Sequence, residues 1–438
     1  MNEFLSRMQA LLGDEYPAFL RYYEGENFRG LRLNTLKCTP DKLKNALPFE
    51  LEPTPFCPQG YYIPADVQSL GNHPLHHCGA FYMQEPSATS AVEMLGVEEG
   101  DFVLDLCAAP GGKSTQIGAK LDQTGLLWSN EIVKNRANIL LSNIERMGIP
   151  NAVVSNAHPD RLCEQLAGRF DKVLVDAPCS GEGMFRKNSA AQEWSVEHVK
   201  SCAVRQKHIL DSAKKALKPG GVLVYSTCTF SREENEGVIE AFLAENPDFA
   251  LEDAGVTFGR PAMTYARRIF PMDGGEGHFA ARLRKRGIPA PNLQPTVTGT
   301  ADREVLEFYD SLFVGRPFGE NITVQKDKIM ILPKNYNFNI IGIPILRAGV
   351  ILGEKVRNRI EPHHSAFCAA KPEDCVSTVS LSADSPAIKA YLHGEEIAVP
   401  PDTKGYTAVC VDGMTTGFGK ASGGRLKNKY PKGLRTLK

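Results

Sequence analysis

The sequence predicts an α/β protein built on a doubly wound parallel sheet, with a small α+β segment before it and a β-rich extension after it. Three observations carry this. VLDLC at 103–107, KVLVDAP at 172–178 and GVLVYST at 221–227 are aliphatic and β-branched runs that stop abruptly in polar turns, as buried parallel strands do. Helical patterns separate these runs, and strand–helix alternation implies helices on both faces of one sheet. The first run opens into a glycine-rich loop, AAPGGKST at 108–115, and loops of this kind sit at the carboxyl ends of such strands, where open α/β sheets bind ligands.

The elements follow in order. Residues 1–75 mix short helical patterns with a strand-like LRLNTLK at 31–37 and a turn-rich EPTPFCPQGYYIP at 52–64. From 76 to 286 the alternation takes over. VLDLC leads to a helix opening at Gly112. GLLWSNE (125–131) leads to a helix over 134–147, where Ala137, Leu140, Leu141 and Ile144 share one face and Gly148 supplies the stop. AVVSN (152–156), KVLVDAP and GVLVYST add three strands, the last two joined by a helix around 196–217. GIPAPNLQPTVTG at 287–299 is Pro-rich and nearly uncharged, a linker. Residues 300–438 turn to short strands such as PILRAGVILGEKV and TAVCVDG, ending in a stretch whose last 20 residues hold seven Lys/Arg and no acid.

Bulk properties set the class. A chain of 438 residues exceeds one ordinary core, so two or three domains are expected. With 42% hydrophobic and 23% charged residues it reads as globular, and a net charge of −1 makes local charge matter more than the total. The 11 cysteines show no disulfide-framework spacing, the first residues lack a signal-peptide core, and no run approaches the roughly 18 apolar residues of a membrane span. A cytoplasmic protein with free thiols and no membrane partner is expected.

The loop CAAPGGKST has two readings. A Walker A loop needs Gly where Cys107 stands, and VLVD at 173–176 imitates its partner strand. A loop containing Cys107 and Pro110 does not build the same nest of amides around phosphates. In the other reading Ala108, Ala109, Gly111 and Gly112 let the backbone approach S-adenosylmethionine (SAM). Glu131 discriminates: it ends the second strand about 20 residues past the loop, where an acid accepts ribose hydroxyls, the bland reading being a helix-capping acid. Asn156 ends the third strand and competes with Asp160 for the adenosine; Asp176 ends the fourth inside the same crevice.

Most cysteines are small core hydrophobes, but Cys179 and Cys228 sit just past the ends of adjacent strands. They are 49 residues apart without CxxC or histidine spacing, which argues against zinc. HHSAFC at 363–368 likewise lacks a second close pair, so no metal is expected. A thiolate used together with SAM on a pyrimidine points to 5-methylation: attack at C6 makes C5 nucleophilic, C5 takes the methyl group, and the thiolate leaves after C5 loses its proton. Lys113 is a candidate to favour the thiolate, since an unperturbed thiol near pKa ~8.5 is mostly protonated. Asp176 is a candidate for the N3/N4 edge of cytosine.

DLCAAPGGK, SNE, VLVDAPCSGEG and VYSTCT, in this order, resemble the Sun-domain family of RNA cytosine-5 methyltransferases over roughly 80–285; RLNTLK, FYMQEPSA and RIFPMDGGEGHF fit as well. The resemblance implies a Rossmann-like SAM-dependent domain, Cys228 as nucleophile and Cys179 as the residue assisting release. It puts SAM contacts on Cys107, Ala108, Ala109, Pro110, Gly111, Gly112, Lys113, Glu131 and Asp176. The C-terminal half resembles the extension of RsmF-type small-subunit rRNA methyltransferases, with a PUA-like RNA-binding barrel near 345–435. 16S rRNA is then the expected partner, and a monomer the expected state; a tRNA methyltransferase, a nucleotide triphosphatase and a non-catalytic ribosome-assembly factor are the alternatives.

Three basic regions support a polyanion partner. One holds Arg260, Arg267, Arg268, Arg282, Arg284, Lys285 and Arg286; a second, GMFRKN, holds Arg186 and Lys187; the tail is the third. Phe418 and Tyr430 are expected to stack on bases.

Overall fold

The structure, a computed structural model, describes residues 2–186, 194–292 and 301–436; Lys187, the linker residues from 293 on and the last two residues lie outside these. A ten-stranded sheet forms the centre. Its strands are β1 (Phe102–Asp105), β2 (Leu126–Asn130), β3 (Ala152–Ser155), β4 (Phe170–Asp176), β5 (Leu217–Thr227), β6 (Phe249–Leu251), β7 (Arg260–Met263), β8 (Ala266–Ile269), β9 (His278–Lys285) and β10 (Ile345–Ala348). The spatial order is β7-β8-β9-β5-β4-β1-β2-β3-β10, with β6 beside β9. β3, β2, β1, β4 and β5 pair in parallel, while β9 and β10 run antiparallel to β5 and β3. The five expected parallel strands are these.

Helices α1 (Gly112–Lys120), α2 (Lys134–Arg146), α3 (Pro159–Gln165), α4 (Val196–Ala216) and α5 (Glu236–Glu245) flank the sheet. Alternating side chains feed two cores, as a sheet covered on both faces requires. Leu104, Trp128, Val173, Val175 and Tyr225 belong to one, and Val103, Leu127, Leu174, Val222 and Val224 to the other. The strand order reverses at β1, whose neighbours are β2 and β4, so the crevice opens at their carboxyl ends.

The N-terminal sheet runs Glu52–Pro53, Gly60–Tyr62, Gly30–Leu33, Phe81–Met83. Its last strand lies beyond the expected boundary at residue 75, because Phe81–Met83 pairs with Gly30–Leu33. The C-terminal part holds a four-stranded and a five-stranded sheet, yet its Ile345–Ala348 segment is β10 of the central sheet. Arg347, fully buried, donates from Nη2 to Ile149 O (2.7 Å) and locks that edge.

Two expectations about RNA contacts fail. Phe418 and Tyr430 are 3% and 2% exposed. Phe418 stacks on Phe367 at 4.5 Å, and Tyr430 packs among His77, His364 and Tyr391, in a core joining the N- and C-terminal parts. The arginines of 260–286 are mostly engaged by the protein itself. Arg268 is buried against Glu236 (2.7 Å), Arg282 and Arg284 share Glu252, Arg260 holds Asp273 and Glu15, Arg267 donates to Val256 O, and Lys285 donates to Lys214 O and Leu217 O. Arg186 likewise donates to Gly25 O and Glu26 O and pairs with Glu276.

Candidate active site

Every wall of the loop 107–112 has a structural cause. The Ala108 N–H donates to Asn130 O, Arg136 donates to Ala109 O, and Asn143 donates to Pro110 O, with distances of 2.8–2.9 Å. Gly111 has φ +117°, and a Cβ there would lie 3.3 Å from Leu140 and Asn143, so only glycine lets the loop close onto α2. Arg32, carried by the N-terminal sheet and wholly buried, donates to Gly112 O (3.1 Å), Thr115 Oγ1 (2.8 Å) and Gln84 Oε1 (3.1 Å). The N-terminal part thereby braces the first turn of α1.

Asp105 ends β1 beneath the loop. Ser114 donates to its Oδ2 (2.7 Å), while its Oδ1 is buried without a partner. Burial, partly opposed by Ser114, pushes its carboxyl up to about 7. Glu131 is 3% exposed, so it is no surface acid. Its Oε1 accepts the Val133 N–H (2.8 Å) and its Oε2 lies 3.5 Å from Arg136. Asn156 donates to Glu131 O (2.7 Å) and Ile132 O (2.9 Å) and is brought to the Glu131 turn. Asp160 is not: its carboxylate accepts from Ser212 on α4.

Lys113 turns inward, with Nζ 2.7 Å from Asp176 Oδ2. A lysine so engaged does not serve as a phosphate clamp, which removes the physical basis of the triphosphatase reading. Burial pulls the Lys113 ammonium down, but Asp176 outweighs it and the net shift is upward. Burial alone raises Asp176; Lys113, His278 and the Ser226 hydroxyl (2.8 Å) reverse this and hold it below the ordinary carboxylate range. Asp176 is therefore an anion with a fixed orientation.

Cys179 and Cys228 meet with their sulfurs 3.4 Å apart. The hydrogen bond to Cys228, then burial, push Cys179 well above the ordinary thiol range, so Cys179 keeps its proton at neutral pH. Two carboxylates that sequence reasoning missed hold the thiol loops. Glu182 accepts from Thr229 Oγ1 (2.8 Å), Phe230 N (2.9 Å), Ser231 Oγ (2.6 Å) and Trp194 Nε1 (3.0 Å). Glu234 accepts from the Ser180 N–H (2.9 Å), the Ser180 hydroxyl and Gln206 Nε2 (2.8 Å). Each strap crosses between the two loops, and the Gly183 N–H adds a bond to Cys228 O (2.9 Å). Their only trace in the sequence is the acids of GEG and REENEG beside each cysteine. His278 was missed as well. A cleft of about 680 Å³, lined by residues including Tyr23, Asn27, Arg29, Gln68 and Arg186, opens between the N-terminal part and the segment after Cys179.

Comparison with known proteins fits this architecture part by part. The profile described as 16S rRNA methyltransferase RsmB/F matches residues 92–284, the N-terminal domain of 16S rRNA methyltransferase RsmF matches 1–86, and the methyltransferase RsmF PUA domain matches 378–436. Ribosomal RNA small subunit methyltransferase F of Vibrio vulnificus is 33% identical over 457 residues, 98% of this chain and 96% of its own. That of Shewanella oneidensis is 33% identical over 433 residues, 93% and 90% of the two chains. A methyltransferase homolog protein from Pyrococcus horikoshii, 29% identical, superposes with a TM-score of 0.59 over 65% of this chain and 95% of that one. NSun6 from Pyrococcus horikoshii, solved with SFG, shares the fold at 24% identity and a TM-score of 0.59, over 65% and 98% of the two chains. No helix among the described residues is long and apolar enough to cross a membrane. The chain thus belongs to the RsmF family of SAM-dependent 16S rRNA methyltransferases, with RNA as its substrate.

Proposed function

We propose that this chain methylates C5 of a cytosine in 16S rRNA through a covalent bond between Cys228 and C6. The sulfur pair carries the reading: one thiol that holds its proton lies 3.4 Å from the other, a pairing that supports one as nucleophile and one as proton donor. SAM suits the crevice on the evidence of Asp105, whose buried Oδ1 has no partner, and of Glu131, an acid sunk at the end of β2. Cys107, Ala108, Ala109, Pro110, Gly111 and Gly112 would line it, Glu131 would accept its ribose hydroxyls, Asn156 would hold the Glu131 turn, and Asp160 is left to the contact between α3 and α4. A structure neighbour solved with SFG, a SAM analogue, supports SAM as the cofactor. Bound there, SAM supplies an electrophilic methyl group.

The remaining roles belong to side chains. Cys228 attacks C6, shifting electron density to C5. Asp176, held anionic by Lys113, accepts from the amino group of the base and, as N3 takes a proton from solvent during attack, from N3–H, offsetting the positive charge that N3 gains. Cys179 donates its S–H to the Cys228 sulfur, stabilising the thiolate before attack and again as it leaves once a solvent base has taken the C5 proton. Both thiols come from one chain, so a monomer suffices, and no step calls for a metal. rRNA as substrate puts the work in the cytoplasm.

The test pairs two substitutions. Cys228→Ala should abolish methyl transfer while calorimetry still detects SAM binding; Cys179→Ala should accumulate an RNA adduct that survives denaturing electrophoresis. Turnover by the Cys228 variant, or an adduct formed through Cys228→Ala but absent from Cys179→Ala, would reverse the roles. Bisulfite sequencing of rRNA and tRNA from a deletion strain identifies the modified base.

A further inference from the structure

His278 opens β9 and is 2% exposed, yet neither ring nitrogen makes a hydrogen bond of good geometry, only a weak backbone contact at Gly277 acting on the ring. Buried polar groups in folded proteins are almost always well paired, so an imidazole held this loosely inside a polar crevice calls for a reason. Its position supplies one. The antiparallel ladder ends with Phe279 opposite Thr227, so the next positions outward at that end are His278 and Cys228. Side chains alternate along a strand, so His278 shares the sheet face of Ala280, which packs with Val224 and Leu174. Asp176 and Ser226 lie on that same face, and His278 Nε2 stands 3.9 Å from Asp176 Oδ1. That separation is too long for a hydrogen bond and suited to two groups addressing one partner.

The chemistry of the base then limits what His278 does. An ionised carboxylate has roughly four acceptor sites. Lys113 and Ser226 take one on each oxygen of Asp176, leaving two for the nearer amino hydrogen of the cytosine and for the N3–H that the base carries once N3 takes a proton from solvent as C6 is attacked. The second hydrogen of that amino group needs an acceptor close to the same carboxylate. Resting on the cytosine reading above, we propose that His278 is a substrate-contacting specificity residue whose neutral imidazole accepts this second amino hydrogen. Uracil offers an oxygen at that position and meets the Asp176 carboxylate instead of satisfying it. Burial, and after it the Lys113 charge, lower the imidazole to about 3. It therefore remains an acceptor at neutral pH and is not the base that removes the C5 proton.

The test uses the full chain with SAM and an RNA fragment whose mapped target carries either 5-fluorocytosine or 5-fluoropyrimidin-2-one, which lacks the 4-amino group. The fluorine blocks proton loss, so the covalent adduct accumulates and its formation rate is read on denaturing gels. His278→Phe should slow the adduct with 5-fluorocytosine about tenfold, the worth of one hydrogen bond, and leave the rate with the pyrimidinone unchanged. His278→Gln, which keeps an acceptor, should recover part of the cytosine rate. Equal slowing on both RNAs means a structural role and overturns the inference, as does no slowing on either. A wild-type chain that traps neither RNA overturns the C5 reading, and this inference with it.

Discussion

The arginine-rich strands of the catalytic part and the lysine-rich strands near the C-terminus look alike as sequence and differ as structure. Between 260 and 286, Glu236, Glu252 and Asp273 reach the arginines and bind them from within. On the C-terminal sheet Lys420 and Lys427 sit directly opposite each other, both exposed, and no ion pair forms at either among the described residues. Like charges facing each other across two strands oppose folding. Lys420 lies over the Tyr406 ring at 5.4 Å, but no carboxylate neutralises either lysine among the described residues, which leaves both charges open to a polyanion such as RNA. What separates the two regions is whether the topology delivers carboxylates to the basic side.

The comparison can be broken at three points. Arg268→Ala leaves Glu236 buried and unpaired, which should cost about 3–5 kcal/mol in urea unfolding; a smaller loss would mean the catalytic arginines are less committed to the fold than their geometry implies. Phe418→Ala removes a stacked ring from the core of the C-terminal part and should destabilise by about 3 kcal/mol. In that variant, loss of RNA affinity in excess of the unfolded fraction would restore the ring as a base-stacking group. The double change Lys420→Ala, Lys427→Ala should alter stability by less than about 0.5 kcal/mol, yet lower the salt dependence of RNA binding by about one unit of slope per lysine. An unchanged slope would move the phosphate contacts elsewhere.

What the sequence discloses here follows from local physics. Buried parallel strands are apolar on both faces and end where the chain turns to polar ligand-binding residues, so β1, β4 and β5 and the groups after them, Cys107, Cys179 and Cys228, are visible by inspection. Glu131 is visible for the same reason, as an acid interrupting an apolar run. Glu182 and Glu234 are hidden because an acid among Gly, Ser and Asn reads as solvated until the fold closes over it. His278 lies inside the RIFPMDGGEGHF segment, but a histidine after a glycine turn there gives no sign of facing the site until the sheet brings it beside Asp176. Phe418 misleads because its strand, Met414–Ser422, is buried along both faces for most of its length, which removes the alternation that would mark an inward ring. Arg268 misleads because its partner lies 32 positions away.

β10 bears on how separable the parts of this protein are. Although it lies beyond the linker, it covers the free edge of β3, so an excised catalytic fragment ending before it would present the open hydrogen-bonding row of a hydrophobic strand. Such edges recruit strands from other molecules. The C-terminal part is thus a seal as well as an appendage, and minimal catalytic fragments should be designed to keep it.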